Sequence, residues 1–185
     1  MRITIALVSP AVLTAAWVPN QGAACTTAAV LAGLGALGAT DLPELGPATL
    51  MLGARVPFGA PALLDYVALP GRRAPLDERI ERLAARHGLE ARADTRLVAP
   101  GRPLRPRPGE VLVANLAWGM EAPGVYGSYG WHPLRPSTYA VGGHSVLLAG
   151  VQGREWLVLD PNRPGLQRWP QPGVAVTATR LRRKR

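Results

Sequence analysis

The chain carries two rhythms of apolar positions. Residues 25–38 contain no charge and no proline, and Val30, Leu31, Leu34 and Leu37 recur at helical spacing among alanines and glycines. This predicts a helix buried on most sides, starting at or within one turn of Cys25 and ended by Gly38. Residues 77–87 are amphipathic instead: Ile80, Leu83 and Ala84 form an apolar stripe, Glu78 and Arg82 an i, i+4 pair, and Gly88 stops the helix. Between 39 and 75, short apolar pieces broken by Pro and Gly predict one or two short helices, including 60–67. Beyond residue 108 the rhythm shortens to strands at 111–116, 144–151 and 155–159, the last two joined by Gln152-Gly153-Arg154 as a hairpin. Segments 166–169 and 174–179 predict edge strands. Residues 117–140 read as a long loop holding Trp118, Tyr126, Tyr129, Trp131 and Tyr139. At the amino terminus, 3–8 and 12–18 read as two extended pieces divided by Ser9-Pro10. Helices first and an antiparallel sheet afterwards make an α+β domain.

Composition narrows the class. The 185 residues are 48% hydrophobic and 18% charged, too apolar for intrinsic disorder, while 21 Gly and 19 Pro exclude a helical bundle. No apolar run free of breakers reaches the ~18 residues of a membrane span. A single cysteine, Cys25, rules out an internal disulfide framework and an all-cysteine metal site. The net charge of +9 is uneven: five of the last six residues are basic, so 1–179 carry 16 − 12 = +4. We therefore expect one domain over 1–179 and a basic, disordered tail over 180–185. That tail is the sole feature suggesting nucleic acid or anionic lipid, and it reads more simply as a solvated, frayed terminus. The near-absence of Lys beside abundant Arg, Ala, Gly and Pro fits a GC-rich genome.

Three residues carry chemistry. A lone cysteine is ordinarily a small core residue. At a helix amino terminus, however, unpaired N–H groups and the helix dipole stabilise the thiolate. His144 opens an apolar strand after Gly142-Gly143, where another backbone or a substrate can approach. A hairpin centred on Gly153 pairs residue i with 306 − i, or one or two away, which places Asp160 and Asn162 close to His144. Either could accept a hydrogen bond from the imidazole and fix its tautomer, completing a nucleophile, a base and an orienting group.

The segment Asn20-Gln21-Gly22-Ala23-Ala24-Cys25-Thr26-Thr27 resembles the nucleophile segment of papain-like cysteine peptidases. Gly142-Gly143-His144-Ser145-Val146-Leu147-Leu148-Ala149-Gly150, followed by Trp156-Leu157-Val158-Leu159-Asp160-Pro161, resembles the bacteriocin-leader-processing, C39-like branch of that superfamily. The resemblance covers about residues 15–170. It implies a papain-like fold and a peptidase in which Cys25 is the nucleophile, His144 the general base and acid, and Asp160 the orienting group. It further implies a glutamine upstream of the cysteine as oxyanion donor, here Gln21, with Asn20 as the fallback. Two positions depart from the pattern: Gln21 precedes Cys25 by four residues rather than five or six, and Thr26 stands where Gly or Ser is usual.

The partner implied is a peptide or protein substrate, and no cofactor or metal is called for. Glycines 33, 35 and 38 lie inside an apolar helix with no following Lys, so they form no phosphate loop. His132 lacks a second ligand at metal spacing, and His87 sits at a helix end. A transglutaminase or amidase shares the Cys, His, polar order, and a degenerate peptide-binding domain of the same fold is the non-catalytic alternative. Residues 3–18 also look like a short secretory signal, and Gly22-Ala23-Ala24-Cys25 like a lipoprotein cleavage site. Gly22, where such sites carry Leu or Val, and the polar break at 19–21 weigh against that. The strand reading keeps the amino terminus intact and the protein cytoplasmic; a cleaved signal would make it secreted.

Overall fold

The computed structural model describes residues 8–53, 74–94, 104–120, 139–153, 155–170 and 175–184. Among the described residues, four helices, α1 (Pro10–Ala15), α2 (Cys25–Ala36), α3 (Leu45–Leu52) and α4 (Pro75–Arg86), precede or flank a six-stranded antiparallel sheet. The strands are β1 (Leu89–Asp94), β2 (Glu110–Met120), β3 (Tyr139–Gln152), β4 (Glu155–Leu159), β5 (Leu166–Pro170) and β6 (Ala175–Arg183), in the spatial order β1-β6-β2-β3-β4-β5. No helix among the described residues is long and apolar enough to cross a membrane.

The sheet has an apolar layer on each face because β2 and β3 are apolar at consecutive positions. Val111, Val113, Leu147 and Leu181 join the layer formed with α2, α3 and α4. Leu112, Ala114, Val146, Leu148, Trp156 and Val158 form the second layer. Helix α2 crosses β2 and β3 at close range, and Gly33 makes this possible. A Cβ there would lie 2.6 Å from Cδ1 of Leu181 and 3.0 Å from Cδ1 of Leu147. The hairpin has the predicted register at its open end, where Leu147 faces Leu159 and Leu148 faces Val158; an irregularity then shifts the pairing before Gly150.

Several expectations are corrected. Residues 12–18 are not extended: Pro10–Ala15 is helical, because Ser9 caps it, its side chain accepting from the Val12 N–H at 3.3 Å, and Pro10 fits the first helical turn. Ser-Pro thus starts a helix rather than dividing two strands. Residues 3–7 and the expected helix 60–67 fall outside the described residues, as do 121–138 with His132. The presumed loop 117–140 is shorter than expected, since β2 runs to Met120 and β3 begins at Tyr139. Strand β5 is an edge strand, but β6 lies inside the sheet, between β1 and β2. Strand β1 was not foreseen, and it pairs with the segment expected to be a frayed tail.

That tail is ordered through Arg183 because its charges have partners. Arg180 donates to Glu110 at 3.0 Å, Arg182 makes two 2.9 Å bonds to Glu90, and Nε of Arg183 donates to the Leu37 carbonyl at 2.8 Å. Leu181, between the arginines, is fully buried. Alternating apolar and charged side chains here mark a half-buried strand.

Candidate active site

Cys25 is the first residue of α2, so its backbone N–H and those of Thr26 and Thr27 precede the first intrahelical bond, which Ala28 donates to Ala24. His144 lies on β3 opposite Leu116 of β2, and Asp160 immediately follows β4. The hairpin brings these last two together: Nε2 of His144 is 2.8 Å from Oδ1 of Asp160. An ionised carboxylate only accepts, so the imidazole donates from Nε2 and its other nitrogen, Nδ1, is left for the thiol. The Cys25 thiol is within hydrogen-bonding reach of the His144 ring, and of the backbone N–H and hydroxyl of Ser145. Cys25 and His144 are each 5% exposed and Asp160 is fully buried. The three residues singled out in the sequence therefore meet in space.

Their electrostatics point one way. Burial pushes the Cys25 thiol up, but the hydrogen bond and charge of His144, together with Ser145, outweigh it and hold the thiol below its ordinary value. Burial pushes His144 down, and the hydrogen bond it donates to Asp160, then the hydrogen bond and charge of Cys25 and the charge of Asp160, raise it to about 9. Raising the base and lowering the thiol both shift the pair toward thiolate and imidazolium and away from the neutral thiol and imidazole.

The amino-terminal segment secures the Asp160 turn from outside. Trp17 donates its indole N–H to the Asp160 carbonyl at 2.8 Å, and the Asn20 N–H donates to the Pro161 carbonyl at 2.8 Å. The Asn162 N–H donates to Oδ1 of Asp160 at 2.9 Å, so Asn162 supports the carboxylate through its backbone rather than replacing it on the imidazole. Both protons of the Asn20 amide are engaged, one with the Gly22 carbonyl at 3.0 Å and one with Oδ1 of Asn162 at 2.9 Å. Asn20 is thus a loop-holding residue. Gln21 is exposed, just before the turn at Gly22. Sequence reasoning missed Trp17, and it missed the polar side chains Thr26, Ser145 and Asn115 around the thiol. Thr26 and Ser145 adjoin the recognised pair in sequence, which is the signal that could have found them. A cleft of about 760 Å³ lies at the far, carboxyl end of α2, lined in part by Val12, Leu37, Arg107 and Arg183, and is separate from these residues.

No protein-family model matches the sequence, and no curated protein matches it. Among solved structures, a putative C39-like peptidase from Bacillus anthracis aligns with a TM-score of 0.51 and 12% identity, covering 90% of this chain and 92% of that one. The fold is that of a papain-like, C39-type peptidase domain. The peptidase domain of Streptococcus ComA, a bi-functional ABC transporter involved in a quorum sensing pathway, aligns with a TM-score of 0.48 and 13% identity, over 90% of this chain and 97% of that one. Likeness at such identity speaks to fold alone, and the chemistry rests on the residues of this chain.

Proposed function

We propose that the protein is a thiol hydrolase that cleaves peptide or amide bonds through Cys25, His144 and Asp160. The observation that carries this reading is the buried chain running from thiol to imidazole to carboxylate, with Asp160 on Nε2. In the proposed cycle the Cys25 thiolate attacks the scissile carbonyl carbon, forming the C–S bond while the carbonyl π electrons move to oxygen. The N–H of Cys25 faces that developing oxyanion, and the exposed Gln21 amide supplies the second donor. The intermediate collapses: the C–N bond breaks, and the His144 imidazolium gives its proton to the departing amine. Neutral His144 then takes a proton from water, whose oxygen attacks the thioester. Breaking the C–S bond releases the acid and restores thiolate and imidazolium. Asp160 keeps Nε2 protonated throughout and leaves Nδ1 to face the sulfur.

A peptide vinyl sulfone, followed by mass spectrometry, tests the reading. The expected result is one adduct, on Cys25, in the wild type and essentially none in His144→Ala, with turnover of a quenched-fluorescent peptide mixture lost in both His144→Ala and Cys25→Ala. Adduct formation without any turnover of peptides, amides or added amine acceptors would instead support a peptide-binding domain that has kept its thiol.

A further inference from the structure

Around the thiol lies a second buried polar chain that the cycle above leaves unused. The Ser145 hydroxyl lies 2.7 Å from the Thr26 hydroxyl and 2.6 Å from Oδ1 of Asn115. All three residues are buried: Thr26 fully, Ser145 to 2% exposure and Asn115 to 8%. Their positions are not arbitrary. Thr26 follows Cys25, Ser145 follows His144, and Asn115 is the cross-strand partner of Ser145 on β2. One hydrogen bond between α2 and β3 therefore joins the residues directly after the nucleophile and the base. A hydroxyl carries one proton and two acceptor sites. Ser145 can accept from Thr26 while donating to either Asn115 or the Cys25 sulfur.

On the reading that Cys25 is a nucleophile, we propose that the Ser145 hydroxyl is a switchable donor to the sulfur, and that Thr26 and Asn115 are positioning residues that hold it there. With sulfur neutral, Ser145 donates to Asn115. With sulfur ionised, or again as the thiolate leaves the thioester, the hydroxyl turns and donates to it, still held by Thr26. No covalent bond changes; one hydroxyl proton changes acceptor. The charged groups facing the sulfur are His144 on β3 and, behind it, Asp160 after β4.

The 185-residue chain permits a clean test because Cys25 is its sole cysteine. Thiolate absorbance at 240 nm, read against Cys25→Ser, is followed with pH in the wild type, Thr26→Val, Thr26→Ser, Ser145→Ala and Ser145→Thr. A hydrogen bond to a charged group predicts a thiolate-to-thiol ratio about tenfold lower or more at a given pH in Thr26→Val and Ser145→Ala. Thr26→Ser and Ser145→Thr keep the hydroxyls and should stay within about threefold of the wild type. If Ser145→Ala fails to fold, the nearly isosteric Thr26→Val decides alone. A wild-type thiol that ionises early with Thr26→Val unchanged overturns the donor chain and leaves the hydrolase reading standing. A wild-type thiol that ionises like a free cysteine overturns both.

Discussion

Two glycines in α2 provide an internal control on how the nucleophile helix is seated. Gly33 and Gly35 are two residues apart in one helix, so replacing either by Ala brings a similar gain in helix propensity, up to about 1 kcal/mol. Their surroundings differ. At Gly35 a Cβ would meet Ala16 Cβ at 3.5 Å and Leu42 Cδ1 at 3.7 Å, which is ordinary contact. At Gly33 it would meet Leu181 Cδ1 at 2.6 Å, roughly 1 Å inside normal carbon–carbon packing. The Leu181 and Leu147 methyls are flexible ends, but both side chains are fully buried and can move only into other core atoms. Such overpacking costs about 1–3 kcal/mol. Gly35→Ala should therefore be stabilising and Gly33→Ala less stable than it by about 1–3 kcal/mol, read as urea midpoints at unchanged slope. Because Cys25 rides on α2, Gly33→Ala should also slow adduct formation with the vinyl sulfone, while Gly35→Ala leaves it alone. A Gly33→Ala protein as stable as Gly35→Ala would refute the seating of α2 against Leu181 and Leu147.

The remaining predictions concern the site. Asp160→Asn should reduce peptide turnover less than Cys25→Ala or His144→Ala, which should abolish it. It should also bring the alkaline limb of the pH–rate profile down from about 9 toward the usual histidine range, because the carboxylate raises His144. Gln21→Ala should lower kcat by about 10²–10³-fold if its amide faces the oxyanion, with little change in KM; an unchanged kcat would return the role to backbone N–H groups alone. Trp17→Phe leaves an aromatic ring but removes the indole N–H and its bond to the Asp160 carbonyl, together with some packing, so it should cost at least about 0.5–1.5 kcal/mol in urea unfolding without abolishing turnover.

The parts of this molecule legible in sequence are those where local pattern and tertiary role agree. The uncharged run after Cys25 could only be a buried helix. The hairpin register follows from a two-residue period and a turn at Gly153, which is why His144 and Asp160 could be paired on paper. Side-chain partners far apart in sequence were not legible. The arginines of 180–183 look like a solvated tail until Glu90 and Glu110 lie on neighbouring strands. Segment 12–18 carries β-branched residues, and the Ser9 cap with Pro10 overrode that preference. Asn20 illustrates the same limit at the site: its side chain is an available donor in the sequence, and in the fold both its protons are held by Gly22 and Asn162.

Catalysis as proposed needs a protonated His144 beside an ionised Cys25, a state that imidazole nitrogen NMR reads without any substrate. The chain has three histidines, so His144→Ala assigns the relevant signal. Between pH 5 and 10 His144 should keep both ring protons until about pH 9, and Cys25→Ala should lower this midpoint because the thiolate charge is removed. A His144 that loses its proton near pH ~6.5, whether or not Cys25 is present, would contradict the ion pair and the nucleophile built on it.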